Sequence, residues 1–156
     1  MIHFQNKLKG VILKNKIVFS LFFIVTVFFT ACSNITIQNE SIKANVSFTN
    51  TYFKALILND KKVVVFNKEP HIKFQENGKV VGSLGCNNFF GSYKKEKNTI
   101  SFQSIASTKM MCPNIKTEDA FSKVLQNVKT YEIKGEFMSF FDKNKKEIAK
   151  FKAVYF

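Results

Sequence analysis

The residues of this sequence that could do covalent chemistry are three cysteines, Cys32, Cys86 and Cys112, and His71, which is the only histidine after residue 31. A thiol can carry a lipid, form a disulfide, ligate a metal or act as a nucleophile. A catalytic serine or cysteine would need His71 as its base, but His71 opens a predicted strand, where a histidine is more often a surface or turn residue. A metal site is also not expected, because the chain has no CxxC spacing. We predict no enzyme activity, no metal and no cofactor.

The segment before Cys32 has the pattern of a secretory signal. "MIHFQNKLKGVILKNK" holds four lysines and no acidic residue, and "IVFSLFFIVTVFFTA" then runs fifteen residues without a charge. A spanning helix needs about 20 apolar residues, so the shorter run favours a cleaved signal peptide. The alternative is an uncleaved N-terminal membrane helix, which residues 10–31 are just long enough to form.

The end of this segment, "FTAC", resembles the bacterial lipobox, whose cysteine is diacylated before signal peptidase II cleaves in front of it. Thr30 and Ala31 fit that pattern, whereas Phe29 stands where an aliphatic residue is usual. The resemblance implies a lipid anchor at Cys32 in the cell envelope. Ser33 in place of an aspartate implies the outer membrane, with the protein facing the periplasm.

Three parts of the chain follow from this interpretation: a signal peptide over 1–31, a lipid-anchored polar tether over 32–50 and a folded domain over 51–156. Without residues 1–31 the chain keeps 20 lysines against 11 acidic residues, a formal charge of +9. Nucleic acid is not an expected partner, because the chain lacks arginine, which supplies most bidentate base and phosphate recognition. We interpret the basic runs "KKEK" and "KNKK" as solvated turns, with a face toward anionic lipid as the alternative.

Short β-type runs separated by turn residues begin at Thr51. They are "YFKALIL", "KVVVF", "HIKF", "KVVGSL", "TISF", "EFMSFF" and "EIAKFKAVYF". The last run alternates through Ala149, Phe151, Ala153 and Tyr155, as a half-buried strand does. About seven short strands are typical of a meander or a small barrel.

The segment "TEDAFSKVLQNVKTY" has the spacing of an amphipathic helix, with apolar residues at Phe121, Val124, Leu125 and Val128. Thr117 is the predicted N-cap, and the acidic residues after it complement the positive end of the helix. The predicted fold class is therefore α+β: a small, mostly antiparallel β-sheet or partly closed barrel with one packed α-helix.

Three segments, "GCNNFFGSY", "STKMMCP" and "EDAFSKVLQNVKTYEI", occur in this order after residue 84. In sequence and spacing they resemble the META domain, the HslJ-like family of small bacterial envelope proteins. Two positions depart from the family pattern: Lys109 replaces the usual arginine, and Tyr52 or Phe53 stands where a tryptophan is common. The resemblance implies a compact, barrel-like sheet with one helix and no established enzymatic activity.

Cys86 and Cys112 remain as an even pair once Cys32 carries lipid, in a compartment that permits oxidation. We expect them to form a disulfide; the alternative is two buried thiols. Asn87 and Asn88 are interpreted as hydrogen-bonding their own turn. A ligand, if one binds, is expected where this turn meets the Cys112 segment, with Asn87, Asn88 and Lys109 as binding residues.

The expected function is that of a non-catalytic envelope lipoprotein that binds or protects an envelope component. Its expected partners are the membrane, through lipidated Cys32, and an envelope protein or a lipid. The alternative is a pilot- or carrier-type lipoprotein that holds an acyl chain or peptide in an apolar cleft. The 19 phenylalanines allow this alternative, but phenylalanine more commonly just fills a core.

Overall fold

The computed structural model describes residues 44–156, so the predicted signal peptide, Cys32 and most of the tether lie outside the described residues. These residues form nine strands and one helix. In chain order they are β1 (Tyr52–Leu58), β2 (Lys61–Lys62), β3 (His71–Phe74), β4 (Lys79–Ser83), β5 (Asn88–Glu96), β6 (Thr99–Ser107), α1 (Lys116–Asn127), β7 (Thr130–Lys134), β8 (Phe137–Phe141) and β9 (Glu147–Val154). Within residues 44–156, no helix has the length and apolar character needed to cross a membrane.

The strands form one sheet in the order β2-β1-β3-β4-β5-β6-β7-β8-β9, and each strand runs antiparallel to its neighbours. β1 also pairs with β9, which closes the sheet into a ring. One junction is thin, because β6 and β7 pair only at Thr99 and Thr130. The sheet is therefore ring-like rather than a continuous barrel, and with its one described helix it confirms the predicted α+β class.

Side chains fill the inside of the ring, and phenylalanine dominates them. The largest fully buried side chains include Phe53, Phe74, Phe89, Phe121, Phe140 and Phe151. Phe121 of the helix packs against Phe89 of β5 and Phe151 of β9, with ring centroids 5.8 and 5.7 Å away. The predicted apolar stripe of the helix is confirmed, since Val124, Leu125 and the following Val128 are also buried. These six phenylalanines thus form part of the core.

The run "KVVVF" is predicted as a strand, but only its first residue, Lys62, belongs to one. β2 consists of Lys61 and Lys62, and the chain then leaves the sheet, with Val64 and Phe66 exposed. β3 explains this difference, because it pairs with the first half of β1 along the edge that a longer β2 would need. β5 and β7 lie outside the seven predicted runs, and β6 is longer than the predicted "TISF".

The helix begins two residues earlier than a cap at Thr117 predicts. Lys116 is the first helical residue, Ile115 is the N-cap, and no side chain caps this end. Thr117 as N-cap is therefore wrong; its hydroxyl instead donates to the Val64 carbonyl at 3.5 Å. The Asn114 side chain accepts a hydrogen bond from the Lys116 amide at 3.1 Å, which steadies the chain just before the helix.

The last residues of the predicted tether pack against the domain. The Phe48 ring stacks on Phe74 with a centroid distance of 4.1 Å, and the Val46 amide donates to the Gly135 carbonyl at 3.0 Å. The side chain of Asn45 accepts a hydrogen bond from the Gly135 amide at 2.7 Å. The folded domain therefore extends upstream of the predicted start at Thr51.

Candidate functional site

The predicted disulfide is present between Cys86 and Cys112, whose Cα atoms are 6.5 Å apart. Cys86 lies in the turn between β4 and β5, and Cys112 lies in the loop between β6 and α1. The bond therefore ties two irregular segments together next to the start of the helix. Because both sulfur atoms are used, neither cysteine is a free thiol in this oxidised domain.

Two glycines before Cys86 explain why this turn is rich in glycine. Gly85 has a φ of +113°, which residues with a Cβ rarely adopt. Gly82 lies where β4 and β3 approach closely: a Cβ there would stand 2.1 Å from the His71 carbonyl oxygen and 2.6 Å from the Phe89 ring. Both glycines are thus required by backbone geometry, as the sequence suggested.

Asn87 is the centre of a buried hydrogen-bond network and is only 4% exposed. Its side-chain NH₂ donates to both carboxylate oxygens of Glu118, at 3.1 and 3.0 Å, and to the Met110 carbonyl at 3.3 Å. Its side-chain oxygen accepts from the Thr108 hydroxyl and from the Met110 amide, both at 2.8 Å. The Asn87 backbone amide donates to Glu118 as well, at 3.1 Å. We call Cys86, Asn87, Thr108, Met110, Cys112 and Glu118 the Asn87 junction.

The interpretation that Asn87 bonds its own turn is therefore wrong, since its side chain joins the turn to the β6–α1 loop and to the helix. Sequence reasoning missed Glu118 and Thr108 as partners. Glu118 was explained by the helix dipole alone, and it does lie in the first turn of α1. The sequence does contain a signal for these contacts. Asn87 follows Cys86 directly, and Glu118 lies six residues after Cys112, so a disulfide between the two cysteines brings Asn87 and Glu118 close together.

The other two predicted binding residues lie on the surface. Asn88 is exposed, and its side-chain oxygen accepts a hydrogen bond from the Lys68 ammonium at 3.3 Å. Lys109 is also exposed and makes no hydrogen bond or ion pair within residues 44–156. The structure thus brings Asn87, Asn88 and Lys109 to one end of the sheet, but only the last two face solvent.

The sulfur atoms of Cys86 and Cys112 and a carboxylate oxygen of Glu118 lie within 4.8 Å of one another. Cysteine binds metal ions as a thiolate. The disulfide leaves no thiolate in this group, and the Glu118 carboxylate already accepts hydrogen bonds from the Asn87 side chain. The donor set of the oxidised domain therefore does not fit a metal ion.

The His71 ring makes no hydrogen bond to a hydroxyl or thiol within the described part of the chain. Its ring stacks on Tyr52 with a centroid distance of 4.2 Å, and its Nδ1 is 3.0 Å from the Glu69 carbonyl oxygen. The Tyr52 hydroxyl donates to the Glu69 carboxylate at 3.2 Å. Burial and the negative charge of Glu69 raise the pKa of Tyr52 to about 12. These contacts explain His71 as part of the packing along β1 and β3.

A groove of about 230 Å³ lies between the β2–β3 loop and the start of α1. Its apolar lining includes Leu58, Val64, Phe66 and Ala120, and Lys61, Lys62 and Lys116 line it as well. Ligand sites for drug-sized molecules are usually about 300–1,000 Å³, so the groove is small. It can hold an apolar side chain or part of an acyl chain.

The described residues form an α+β domain with a small ring-like antiparallel sheet, one packed helix and two loops joined by a disulfide. Its distinctive residues hold the domain together. A family model described as META domain matches residues 46–155. The chain therefore belongs to the META domain family, as its three sequence segments predicted. A search of curated protein sequences finds no match.

Solved structures show the same fold. One, solved by NMR, is 23% identical with a TM-score of 0.55, and the match covers 69% of this chain and 94% of that chain. Another NMR structure, of a protein from Burkholderia xenovorans, is 18% identical with a TM-score of 0.57, covering 70% of this chain and 85% of that chain. At these identities the likeness concerns the fold alone.

Proposed function

We propose that this protein is a lipid-anchored component of a bacterial cell envelope whose META domain binds or protects another envelope component without turning it over. The anchor is the acylated Cys32, and the location is the periplasmic face of the outer membrane. The META family and the lipobox-like "FTAC" support this proposal together.

The observation that carries the non-catalytic part is that the reactive groups of the Asn87 junction are already engaged. The two cysteines bond each other, and both oxygens of Glu118 accept hydrogen bonds from Asn87. General acid–base catalysis needs a group that can exchange a proton with a substrate, and a nucleophile needs a nearby base. The junction offers neither, whereas the loops that it holds present exposed side chains for binding.

The anchor is tested by metabolic labelling with an alkyne fatty acid in cells that express the full chain. We expect the wild type to carry the label and to stay with the membrane fraction, and Cys32→Ser to lose the label. Inhibition of signal peptidase II should make the longer precursor accumulate. An unlabelled wild-type chain whose length does not respond to the inhibitor contradicts the anchor and favours the membrane-helix alternative.

The binding part is tested by crosslinking the full, Cys32-anchored chain in intact envelopes and identifying what is captured, beside a broad hydrolase screen of the same protein. We expect a captured envelope component and no turnover. Reproducible turnover that His71→Ala abolishes contradicts a purely binding role.

The carrier function remains a second candidate because of the apolar groove beside α1. Its volume admits part of an acyl chain, while the aromatic core fills the inside of the ring. Native mass spectrometry of protein purified from envelopes separates the two. A stoichiometric co-purifying lipid favours the carrier, and a protein partner favours the binding function.

A further inference from the structure

Six apolar side chains are exposed to solvent on the β2–β3 loop and the β6–α1 loop. They are Val64, Val65, Phe66, Met110, Met111 and Ile115. Phe66 is 63% exposed and Met111 is fully exposed. We call these six residues the two-loop face.

The β2–β3 loop and the β6–α1 loop lie side by side. The Thr117 hydroxyl contacts the Val64 carbonyl, and the Asn67 side chain donates to the Cys86 sulfur at 3.7 Å. Cys86 in turn carries the disulfide to Cys112 in the second loop. The apolar residues therefore belong to one end of the molecule, and exposed apolar surface of this kind indicates an interaction site.

Lysines surround this end. Lys61, Lys62, Lys68, Lys109 and Lys116 are all exposed, and none of them forms an ion pair within the described part of the chain. The acidic residues nearby are Glu118 and Asp119 in the first turn of α1, and Asp60 and Glu69 next to Lys61 and Lys68 in the chain. Asp60 and Glu69 already form ion pairs with Lys146 and Lys54, so positive charge remains in excess. The surface that complements this end is therefore negatively charged.

We propose that the two-loop face docks on an anionic phospholipid bilayer, with its apolar side chains entering the interface and the lysines contacting the headgroups. Interfacial binding combines buried apolar side chains with lysines that contact anionic lipid. Protein interfaces are enriched in aromatic residues, methionine and arginine and depleted in lysine. Phe66, Met110 and Met111 would suit either kind of surface. The surrounding lysines, with no arginine in the chain, match only the lipid pattern, which is why we choose a bilayer over a protein.

The predicted tether is long enough for the two-loop face to reach the membrane that holds Cys32. The described N-terminal segment leads into the start of β1, and Leu58 at the end of β1 lines the groove beside the two-loop face. Seven strand residues span about 23 Å. The chain from Cys32 to residue 44 can span at most about 40 Å, so a domain anchored at Cys32 can tip this end onto the same membrane. The docking itself does not depend on acylation, so the two proposals fail separately.

The test uses residues 44–156, because the META family model matches residues 46–155 and an NMR structure of this fold aligns over 94% of its own chain. Oxidised protein is sedimented with vesicles of phosphatidylglycerol and phosphatidylcholine, and with phosphatidylcholine alone. We expect binding to the anionic vesicles that weakens as salt is added, and much weaker binding to the neutral ones. Equal binding to both, or none to either, overturns the proposal.

Two variants locate the docking surface. K61Q/K62Q should lower the partition coefficient about fivefold for each lysine. F66S should lower the partition coefficient about tenfold, because the variant has no aromatic ring at this position to move from water into the membrane interface. Circular dichroism checks that both variants are folded, which is expected because the side chains are exposed.

Matched controls lie elsewhere on the domain. K143Q/K145Q removes the same charge from the exposed β8–β9 turn, and F156S removes a phenylalanine that is 99% exposed at the end of the chain. Both should bind nearly as the unmodified domain does. If K143Q/K145Q reduces binding as much as K61Q/K62Q, the attraction follows net charge alone and the proposed face is wrong. A dimer in solution that F66S dissociates also overturns it, in favour of contact with a second copy.

Discussion

Asn87 and Phe66 belong to neighbouring loops, yet Asn87 is 4% exposed and Phe66 is 63% exposed. The polar residue is buried and fully hydrogen-bonded, while the apolar residue faces water. Asparagine is usually exposed and phenylalanine usually buried, so both residues depart from the common pattern, each for its own reason. The junction uses polar groups to join segments that lie far apart in the sequence, and the two-loop face leaves apolar groups uncovered. The residues that hold the domain together and those available to a partner therefore differ, except that Met110 bonds Asn87 through its backbone and is itself exposed.

The largest expected effect on stability comes from removing the disulfide of the junction. The Cys86→Ala/Cys112→Ala variant should lower the free energy of unfolding by about 3.5 kcal/mol, because the cysteines lie 26 residues apart and the unfolded chain regains the entropy of that loop. Chemical denaturation with and without reductant measures this change. The reduced wild type should resemble the double variant, and two freely titrating thiols in the folded, oxidised wild type would contradict the bond.

The second-largest effect is expected for Asn87→Ala, which should lower the free energy of unfolding by about 3 kcal/mol. The substitution removes the side-chain hydrogen bonds to Glu118, Met110 and Thr108, and it leaves the Met110 amide and one Glu118 oxygen without the partner they have in a partly buried site. Asn88→Ala is the control, because Asn88 is exposed and its side chain bonds only Lys68; it should cost about 0.5 kcal/mol. Equal losses for the two variants would mean that the junction does not stabilise the fold.

Glu118→Gln tests whether Glu118 acts through Asn87 or only through the helix dipole. A glutamine places an NH₂ group against the NH₂ of Asn87, so one acceptor is lost, and we expect a cost of about 1.5 kcal/mol. Asp119→Asn removes the same charge from the same helical turn, where Asp119 is exposed, and should cost about 0.5 kcal/mol. Thermal unfolding of both variants measures the difference. Similar values would return Glu118 to its predicted role as a helix-start charge alone.

The sequence predicts those features that depend on neighbouring residues. β1 and β3 occur where the alternating runs place them, the helix buries its predicted stripe, and the turn at Asn59 and Asp60 has the positive φ angles that tight hairpins need. The disulfide follows from the number of cysteines.

Features that depend on distant contacts are not predictable in the same way. "KVVVF" has strand propensity throughout, but the edge of β1 that it would need is occupied by β3. The partners of Asn87 come from segments more than twenty residues further along the chain. The two-loop face is not predictable for the same reason, because the strand propensity of "KVVVF" places Val64 and Phe66 in the sheet.

Phe66→Ser should have the smallest effect on stability, although it removes a large aromatic side chain. A core phenylalanine replaced by a small residue costs about 3–5 kcal/mol, because its burial is lost and a cavity remains. Phe66 is exposed already, so we expect a change within about 0.5 kcal/mol. Phe89→Ser is the contrast, because Phe89 is 2% exposed and packs against Phe121 of the helix; it should cost several times more. Denaturation of the two variants in the absence of vesicles measures this directly. A large loss for Phe66→Ser would place its side chain in the packed structure, and the two-loop face would then have no free phenylalanine to offer a membrane.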